Sequence, residues 1–248
     1  MRRWWLAFAA LVLLQIGYPL AAGRPRAALV AATVILGFSL SVGHAVVTRG
    51  LRTGTALVGV AAAGGLAVET LGVATGFPFG GYAYSDALGP RLWGVPALIP
   101  LAWAWMAWPA WLAAGTATRR RWPRTALAGL GLAAWDLLLD PQMVAEGYWH
   151  WRHPDPHLPG VPDVPLTNYL GWLAVAVLMM ALFPVLAGPR AGTAEPVRDR
   201  PVLALYVWTY AGSVLALAVF LGLPAAAGWG AVGMAPVALP AALALCPS

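Results

Sequence analysis

Apolar residues run through this chain in long blocks rather than at the spacing of a half-buried helix or strand. The blocks cover roughly residues 4–22, 27–47, 54–74, 93–114, 125–144, 167–187, 202–222 and 225–246. About 20 apolar residues is the length an α-helix needs to cross the hydrocarbon core of a bilayer. Gly and Pro inside the blocks do not argue against spanning, because both are commoner in membrane helices than in soluble ones. The pattern predicts an all-α fold, a polytopic integral membrane helix bundle of seven to eight transmembrane helices, with block 225–246 deciding between the two counts. The first block follows Arg2 and Arg3 and ends at Ala21-Ala22-Gly23, features that a signal peptide also shows. Its run is long enough to span and further spans follow at once, so a membrane helix is expected there.

Composition agrees. Apolar residues make up 60% of the chain and charged residues 10%, and the mean hydropathy is +0.73, whereas soluble domains carry roughly a quarter charged residues. With 248 residues, the spans and short loops between them fill the chain, so a single membrane domain over residues 1–248 is expected. A net charge of +6 would point to an acidic partner in a soluble protein. Here every cation is an arginine near the end of an apolar block. No basic run alternates with aromatics along a polar face, so nucleic acid is not an expected partner. The lone cysteine, Cys246, allows no intrachain disulfide and no zinc knuckle.

The arginines give an orientation. With eight spans and a cytoplasmic N-terminus, Arg2, Arg3, Arg49, Arg52, Arg119, Arg120, Arg121, Arg124, Arg190, Arg198 and Arg200 fall on the cytoplasmic side, and Arg24, Arg26, Arg91 and Arg152 on the other. That bias follows the positive-inside rule. A multi-pass protein of the cell membrane with its N-terminus in the cytoplasm is expected, and the long polar-aromatic loops 75–92 and 145–166 then share the outer side. No internal repeat stands out. The one linker-like stretch, 188–201, reads as a solvated cytoplasmic loop with Glu195 and Asp199 as surface charges.

Three of the nine acidic residues, Glu69, Asp136 and Asp140, fall inside spans. An ionised side chain at mid-bilayer costs about 2.5–3.5 kcal/mol even on the lenient insertion scale, so each requires a reason. The topology places Glu69 about 8 Å below the outer end of the third helix, at 1.5 Å per residue, and both aspartates in the outer half of the fifth. Asp136 and Asp140 stand four residues apart and share a helix face. Two carboxylates held that close in low dielectric do not both ionise readily, so one of the pair is expected to keep its proton, as a general acid must. Pro141 frees the carbonyl of Leu137 and favours a local opening toward a polar cavity. The ordinary alternative is that these acids pair with an Arg or a His or reach the interface. Asn168, at the outer start of the sixth helix, is either their polar companion or a helix cap.

Aromatic residues crowd the same regions: Phe77, Phe79, Tyr82, Tyr84, Trp135, Tyr148, Trp149, Trp151 and Trp172. Trp and Tyr are expected at any membrane interface; the remainder can line a pocket for an extended apolar substrate and face a cation. His150, His153 and His157 lie near Asp155, but prolines interrupt their spacing and no zinc signature is matched. A plain interfacial loop is expected there, with no metal. His44, inside the second helix, is either a hydrogen-bonded core residue or part of a site.

Specific stretches resemble a known family. They are Glu69-Thr-Leu-Gly-Val-Ala-Thr-Gly-Phe-Pro-Phe-Gly-Gly-Tyr-Ala-Tyr, Leu88-Gly-Pro, Val95-Pro, Ile99-Pro-Leu-Ala-Trp, Ala134-Trp-Asp-Leu-Leu-Leu-Asp-Pro-Gln-Met, Gly147-Tyr-Trp-His-Trp and Pro165-Leu-Thr-Asn-Tyr-Leu-Gly-Trp. In this order, over about residues 44–175, the chain is similar to the membrane carotenoid 1,2-hydratases, which include γ-carotene hydratases and the bisanhydrobacterioruberin hydratase. The His-Pro-Asp-Pro-His insert before Pro165 departs from the pattern. The resemblance implies addition of water across the terminal C1=C2 bond of an acyclic carotenoid ψ-end group, giving a tertiary 1-hydroxyl, with no cofactor. Its substrate would come from the lipid bilayer, with water and membrane lipids as the other partners. Asp136 or Asp140 would be the acid; Glu69 and Asn168 would position water, with Glu69 among the catalytic groups and His44 and the aromatics in the substrate and water site. Two other classes also use intramembrane carboxylates. A proton-coupled transporter would show two similar halves or matching interrupted helices. A prenyltransferase or carotenoid cyclase that holds Mg²⁺ and diphosphate would want cations beside its acids, preferably facing the cytoplasm.

Overall fold

The computed structural model describes residues 2–246. Eight long helices carry most of them: α1 (Arg2–Leu20), α2 (Gly23–Arg49), α3 (Leu51–Thr75), α4 (Leu98–Ala117), α5 (Arg121–Ala145), α6 (Leu166–Ala187), α7 (Pro196–Phe220) and α8 (Pro224–Leu245). The apolar blocks coincide with them to within a few residues, the eighth included, and the fold is the expected helix bundle. α1 packs on α2 and α7, and α8 packs on α4, α5 and α7.

Six helices, all but α4 and α5, are long and apolar enough to cross a membrane. The remaining two form the inner pair. α4 carries Trp103, Trp105, Trp108 and Trp111 with Pro100 and Pro109, yet every residue from Trp103 to Ala114 is buried. A helix apolar on all sides belongs inside a bundle, and α4 touches α2, α3, α5, α7 and α8. α5 holds Arg124, Asp136 and Asp140 among its buried positions and continues unbroken through Pro141 to Ala145. The proline therefore does not end the helix.

The two ends of the bundle differ. At one, arginines fold inward: Arg49 donates to Asp199 Oδ2 at 2.6 Å, Arg52 to the Leu186 carbonyl at 2.8 Å, and Arg124 to the carbonyls of Trp111 and Gly192. Most side chains of 188–201 are exposed, as expected of a solvated segment, but part of it is helical and Asp199 is not a surface charge. Pro189–Gly192 forms a short 3-10 turn, α7 already begins at Pro196, and Asp199 is buried because the buried Arg49 needs a counter-charge. Glu195 is half-buried, 3.2 Å from Arg198 and 4.0 Å from Arg49.

At the other end the two long loops meet, as expected of loops on one side. They contain short strands: β1 (Tyr82–Tyr84), β2 (Arg91–Leu92), β3 (Val95–Pro96), β4 (Trp149–Trp151), β5 (His157–Leu158) and β6 (Val161–Pro165). β1 and β4 pair antiparallel, Tyr82 opposite Trp151 and Tyr84 opposite Trp149. Side chains alternate along a strand, so Trp149 and Trp151 turn inward while His150 turns out. The result is a small aromatic cap over the helices.

Candidate active site

α3 supplies the first acid. The helix widens to a π-helical stretch at Val58–Ala63, and beyond it the buried positions are Gly65, Glu69 and Gly72. π-turns interrupt the regular helical register and are frequent at functional sites. The two glycines let aromatic rings close on the helix from either side of Glu69. A Cβ at Gly65 would lie 2.8 Å from the Trp103 ring, and one at Gly72 would lie 2.8 Å from the Tyr82 hydroxyl oxygen. Three donors then reach the Glu69 carboxyl: Tyr82 at 2.5 Å and Tyr84 at 2.8 Å to Oε2, and the Trp103 indole N–H at 3.1 Å to Oε1. Burial, with the Glu69 carboxyl beside them, pushes the Tyr82 and Tyr84 phenols well above their ordinary value. Both therefore stay protonated and donate.

α5 and α6 supply the rest. Asp136 and Asp140 project from one face of α5 toward Asn168, in the first turn of α6. The Asn168 amide donates to Asp136 Oδ2 at 2.7 Å and to Asp140 Oδ2 at 2.5 Å. One amide thus bridges two carboxyl groups. The position before the helix is Pro165, and no side chain caps it, so Asn168 is the companion of the aspartates rather than a cap. Asp136 Oδ1 has no hydrogen-bond partner among the described residues. Glu69, Asp136, Asp140 and Asn168 are all at most 4% exposed. Among the described residues none of the three acids forms an ion pair with an Arg or a His, so pairing with a cation does not account for them.

These groups enclose a cavity of about 30 Å³ lined by Glu69, Asp140 and Asn168 beneath Tyr82, Tyr84, Trp149 and Trp151, with Trp103 and Trp172 at the side. A space of about 10–15 Å³ by this measure already holds one water. Trp103 and Trp172 stack at 3.8 Å and 9°, which sets a rigid π-face on the pocket wall. Phe79 also lines it, and the Trp151 indole is held by the Phe79 carbonyl at 2.9 Å. Ile99, Ala102, Leu139 and Trp149 form a divide shared with a second cavity of about 370 Å³ between α1, α2, α4, α5 and α7.

The sequence therefore brings Glu69, Asp140, Asn168, Phe79, Tyr82, Tyr84, Trp149, Trp151 and Trp172 to one cavity, with Asp136 joined through Asn168. Three expected members lie elsewhere. Phe77 is 69% exposed, outside the cap. Trp135 lines the large cavity instead, with its ring 6.4 Å from that of Trp172. His44 belongs to the arginine end: its Nε2 lies 2.9 Å from the Arg198 carbonyl, and the Trp108 indole donates to its Nδ1 at 3.1 Å. It is a hydrogen-bonded core histidine. His150 and His153 are exposed, and His157 lies 2.9 Å from Asp155; no group of acids, histidines and cysteine able to hold a metal occurs among the described residues. Trp103 was missed by sequence reasoning about the site, although it closes the Ile99-Pro-Leu-Ala-Trp stretch.

Fold and pocket together define a polytopic membrane protein whose intramembrane carboxyl groups are held by hydrogen bonds, not ion pairs, in an aromatic chamber. The chain belongs to the carotenoid biosynthesis protein family, whose model matches residues 29–237, a stretch that takes in every residue lining the small cavity. Its role is in carotenoid biosynthesis. No curated protein and no solved structure matches the chain.

Proposed function

We propose that the protein is a carotenoid 1,2-hydratase, adding water across the terminal C1=C2 double bond of an acyclic ψ-end group to give a tertiary 1-hydroxyl. The observation that carries this reading is the bridged Asp136–Asn168–Asp140 set facing a water-sized, aromatic-walled cavity with Glu69 on its other side.

The chemistry needs an acid, a surface for a cation and a base. The aspartate pair holds one proton between its two carboxyl groups. That proton goes to C2, where the π electrons form the new C–H bond and leave a tertiary cation at C1. The stacked Trp103–Trp172 faces and Trp149 stabilise positive charge through their ring quadrupoles. Water adds its oxygen to C1, and Glu69 or the ionised aspartate accepts the released proton. Passage of that proton back to the pair restores the starting state. Charge stabilisation by fixed groups in a site that excludes bulk water is the main source of rate. The hydrocarbon chain reaches the pocket from the bilayer by way of the large cavity across the Ile99, Ala102 and Leu139 divide.

Expression in a host that makes acyclic or monocyclic carotenes tests the reading directly, with a pigment heavier by one water as the expected product. Asp136→Asn, Asp140→Asn and Glu69→Gln should each lower its yield, by about 10²- to 10⁴-fold for whichever group transfers the proton. Full activity in both aspartate variants would sink the proposal.

A further inference from the structure

The large cavity is not uniformly apolar. Its walls include Trp105 of α4 and Thr209 of α7, which are 4% and 1% exposed, and Thr33 of α2, which is 9% exposed. The Trp105 indole N–H and the Thr209 hydroxyl have no hydrogen-bond partner among the described residues. A buried polar group without a partner costs about 1–3 kcal/mol; the Tyr18 hydroxyl of α1 is a third such group on this cavity, near its capped end, and the pair Trp105 and Thr209, joined by Thr33, calls for its own explanation.

Their positions converge at the same depth. Thr33 precedes by one helical turn Gly37, whose backbone sits against the Trp105 ring. The Trp105 ring is in turn 5.6 Å from that of Trp135, edge to face. Tyr206 donates to the Gly131 carbonyl, one turn before Trp135, and Thr209 follows Tyr206 by three residues. The three polar groups therefore sit near the level of the Trp105–Trp135 contact. This is about 10 Å along α4 from Leu98 at the capped end of the cavity, at 1.5 Å per residue. Above them the walls are mainly aliphatic, interrupted by Tyr18, Gln142 and Ser213. Such a cavity, mainly apolar with an indole donor and two hydroxyls at its deep end, matches an extended apolar molecule that ends in an oxygen.

We propose that the deep end of the large cavity, formed by Trp105, Thr209 and Thr33, binds a hydroxyl- or carbonyl-bearing end of a long apolar chain. The indole and the threonine hydroxyls donate to its oxygen, and the threonine oxygens accept from it when it is a hydroxyl. The cavity adjoins the acid pocket across the shared divide, and the site at its deep end stands whether or not hydration is the reaction in that pocket. A polyene terminus and a lipid-like alcohol carry the same chemistry; the tryptophans around the cavity, Trp105, Trp135, Trp149 and Trp208, favour the flat polyene.

Tryptophan quenching in the purified full-length protein measures the affinity without any turnover. The probes are a linear hydrocarbon polyene, the same polyene with one terminal hydroxyl, a long-chain alkane and the matching alkanol. The wild-type chain should bind each oxygenated probe about 3- to 10-fold more tightly than its hydrocarbon counterpart, the range one net hydrogen bond supplies, and the polyenol more tightly than the alkanol. In Thr209→Val and Trp105→Phe the oxygenated-to-hydrocarbon ratio should fall toward one, whereas Thr209→Ser should keep it. Because the readout is a ratio, a general loss of folding does not imitate it. Equal affinity for oxygenated and hydrocarbon probes in the wild-type chain, or a ratio that survives in both Thr209→Val and Trp105→Phe, would overturn the proposal. An alkanol bound as tightly as the polyenol would reassign the ligand to a lipid-like alcohol and overturn the polyene choice. A failure of the hydration reading appears elsewhere, as the absence of the heavier pigment.

Discussion

Asn168 determines whether Asp136 and Asp140 act together. Among the described residues its amide is the one side chain that donates to either carboxyl group, and it reaches both. Replacing it with leucine, close in size, leaves two buried carboxyls facing each other across an apolar side chain. Asn168→Leu should lower hydrated product by about 10²-fold or more, the lower range for losing a positioned proton donor, and should destabilise the fold by about 1–3 kcal/mol. Product yield per folded protein and thermal unfolding in detergent measure the two separately; wild-type yield in this variant would remove Asn168 from the site. At this scale much was legible in the sequence. Glu69, Asp136 and Asp140 stand out because charge inside an apolar block is costly, and Asn168 because it begins the block facing them. Trp103 was not legible as a site residue. It is one of four tryptophans on α4, and linear spacing does not say which of them meets Glu69. His44 carried two readings, core residue or site member, and the partners that decide for the core, Trp108 and the Arg198 carbonyl, are distant in sequence.

Helices were legible as elements because 20 apolar residues form a strong and continuous signal. The cap strands were not, since three residues carry too little periodicity to separate a strand from a loop. Their alternation is nonetheless present in Tyr-Ala-Tyr and Trp-His-Trp, and pairing turns it into a functional division. Trp149 and Trp151 close the pocket, while His150 between them faces out. His150→Ala should keep product yield within about twofold, as expected of an exposed side chain away from special features. Trp149→Ala removes a large buried ring at a cost of about 3–5 kcal/mol and should abolish most activity, with Trp149→Phe recovering part of it. Equal losses in His150→Ala and Trp149→Ala would mean that the register of β1 and β4 is not the one described. In the largely exposed segment 188–201, the burial of Asp199 was not legible. What buries Asp199 is Arg49, 150 positions earlier in the chain, and no local pattern carries that pairing.

At the scale of the molecule, the bundle is polarised: inward-folded arginines at one end, an aromatic cap over carboxyl groups at the other. The arginine end also holds helices together, because the Arg49–Asp199 pair joins α2 to α7. Asp199→Asn leaves the buried guanidinium with only the half-buried Glu195 at 4.0 Å and should cost up to about 3–5 kcal/mol, read as a lower unfolding temperature with the pocket chemistry intact in the folded fraction. The same polarity bears on orientation. Arginine is retained on the cytoplasmic side of membranes, so we propose that the arginine end faces the cytoplasm and the acid pocket lies in the outer half of the bilayer. Eight helices return the chain to the side on which it began, which puts both helical termini with the arginines. Single cysteines in a Cys246→Ser background decide the point. His150→Cys, on the exposed face of the cap, should react with an impermeant maleimide added to intact cells. Arg120→Cys, between α4 and α5, should react only after the membrane is opened. Labelling of Arg120→Cys in intact cells, with His150→Cys protected, would invert the topology and place the acid pocket in the inner half of the membrane. The bundle itself would be unchanged by that result, because β1–β4 pairing fixes both long loops at one end whichever way the end faces.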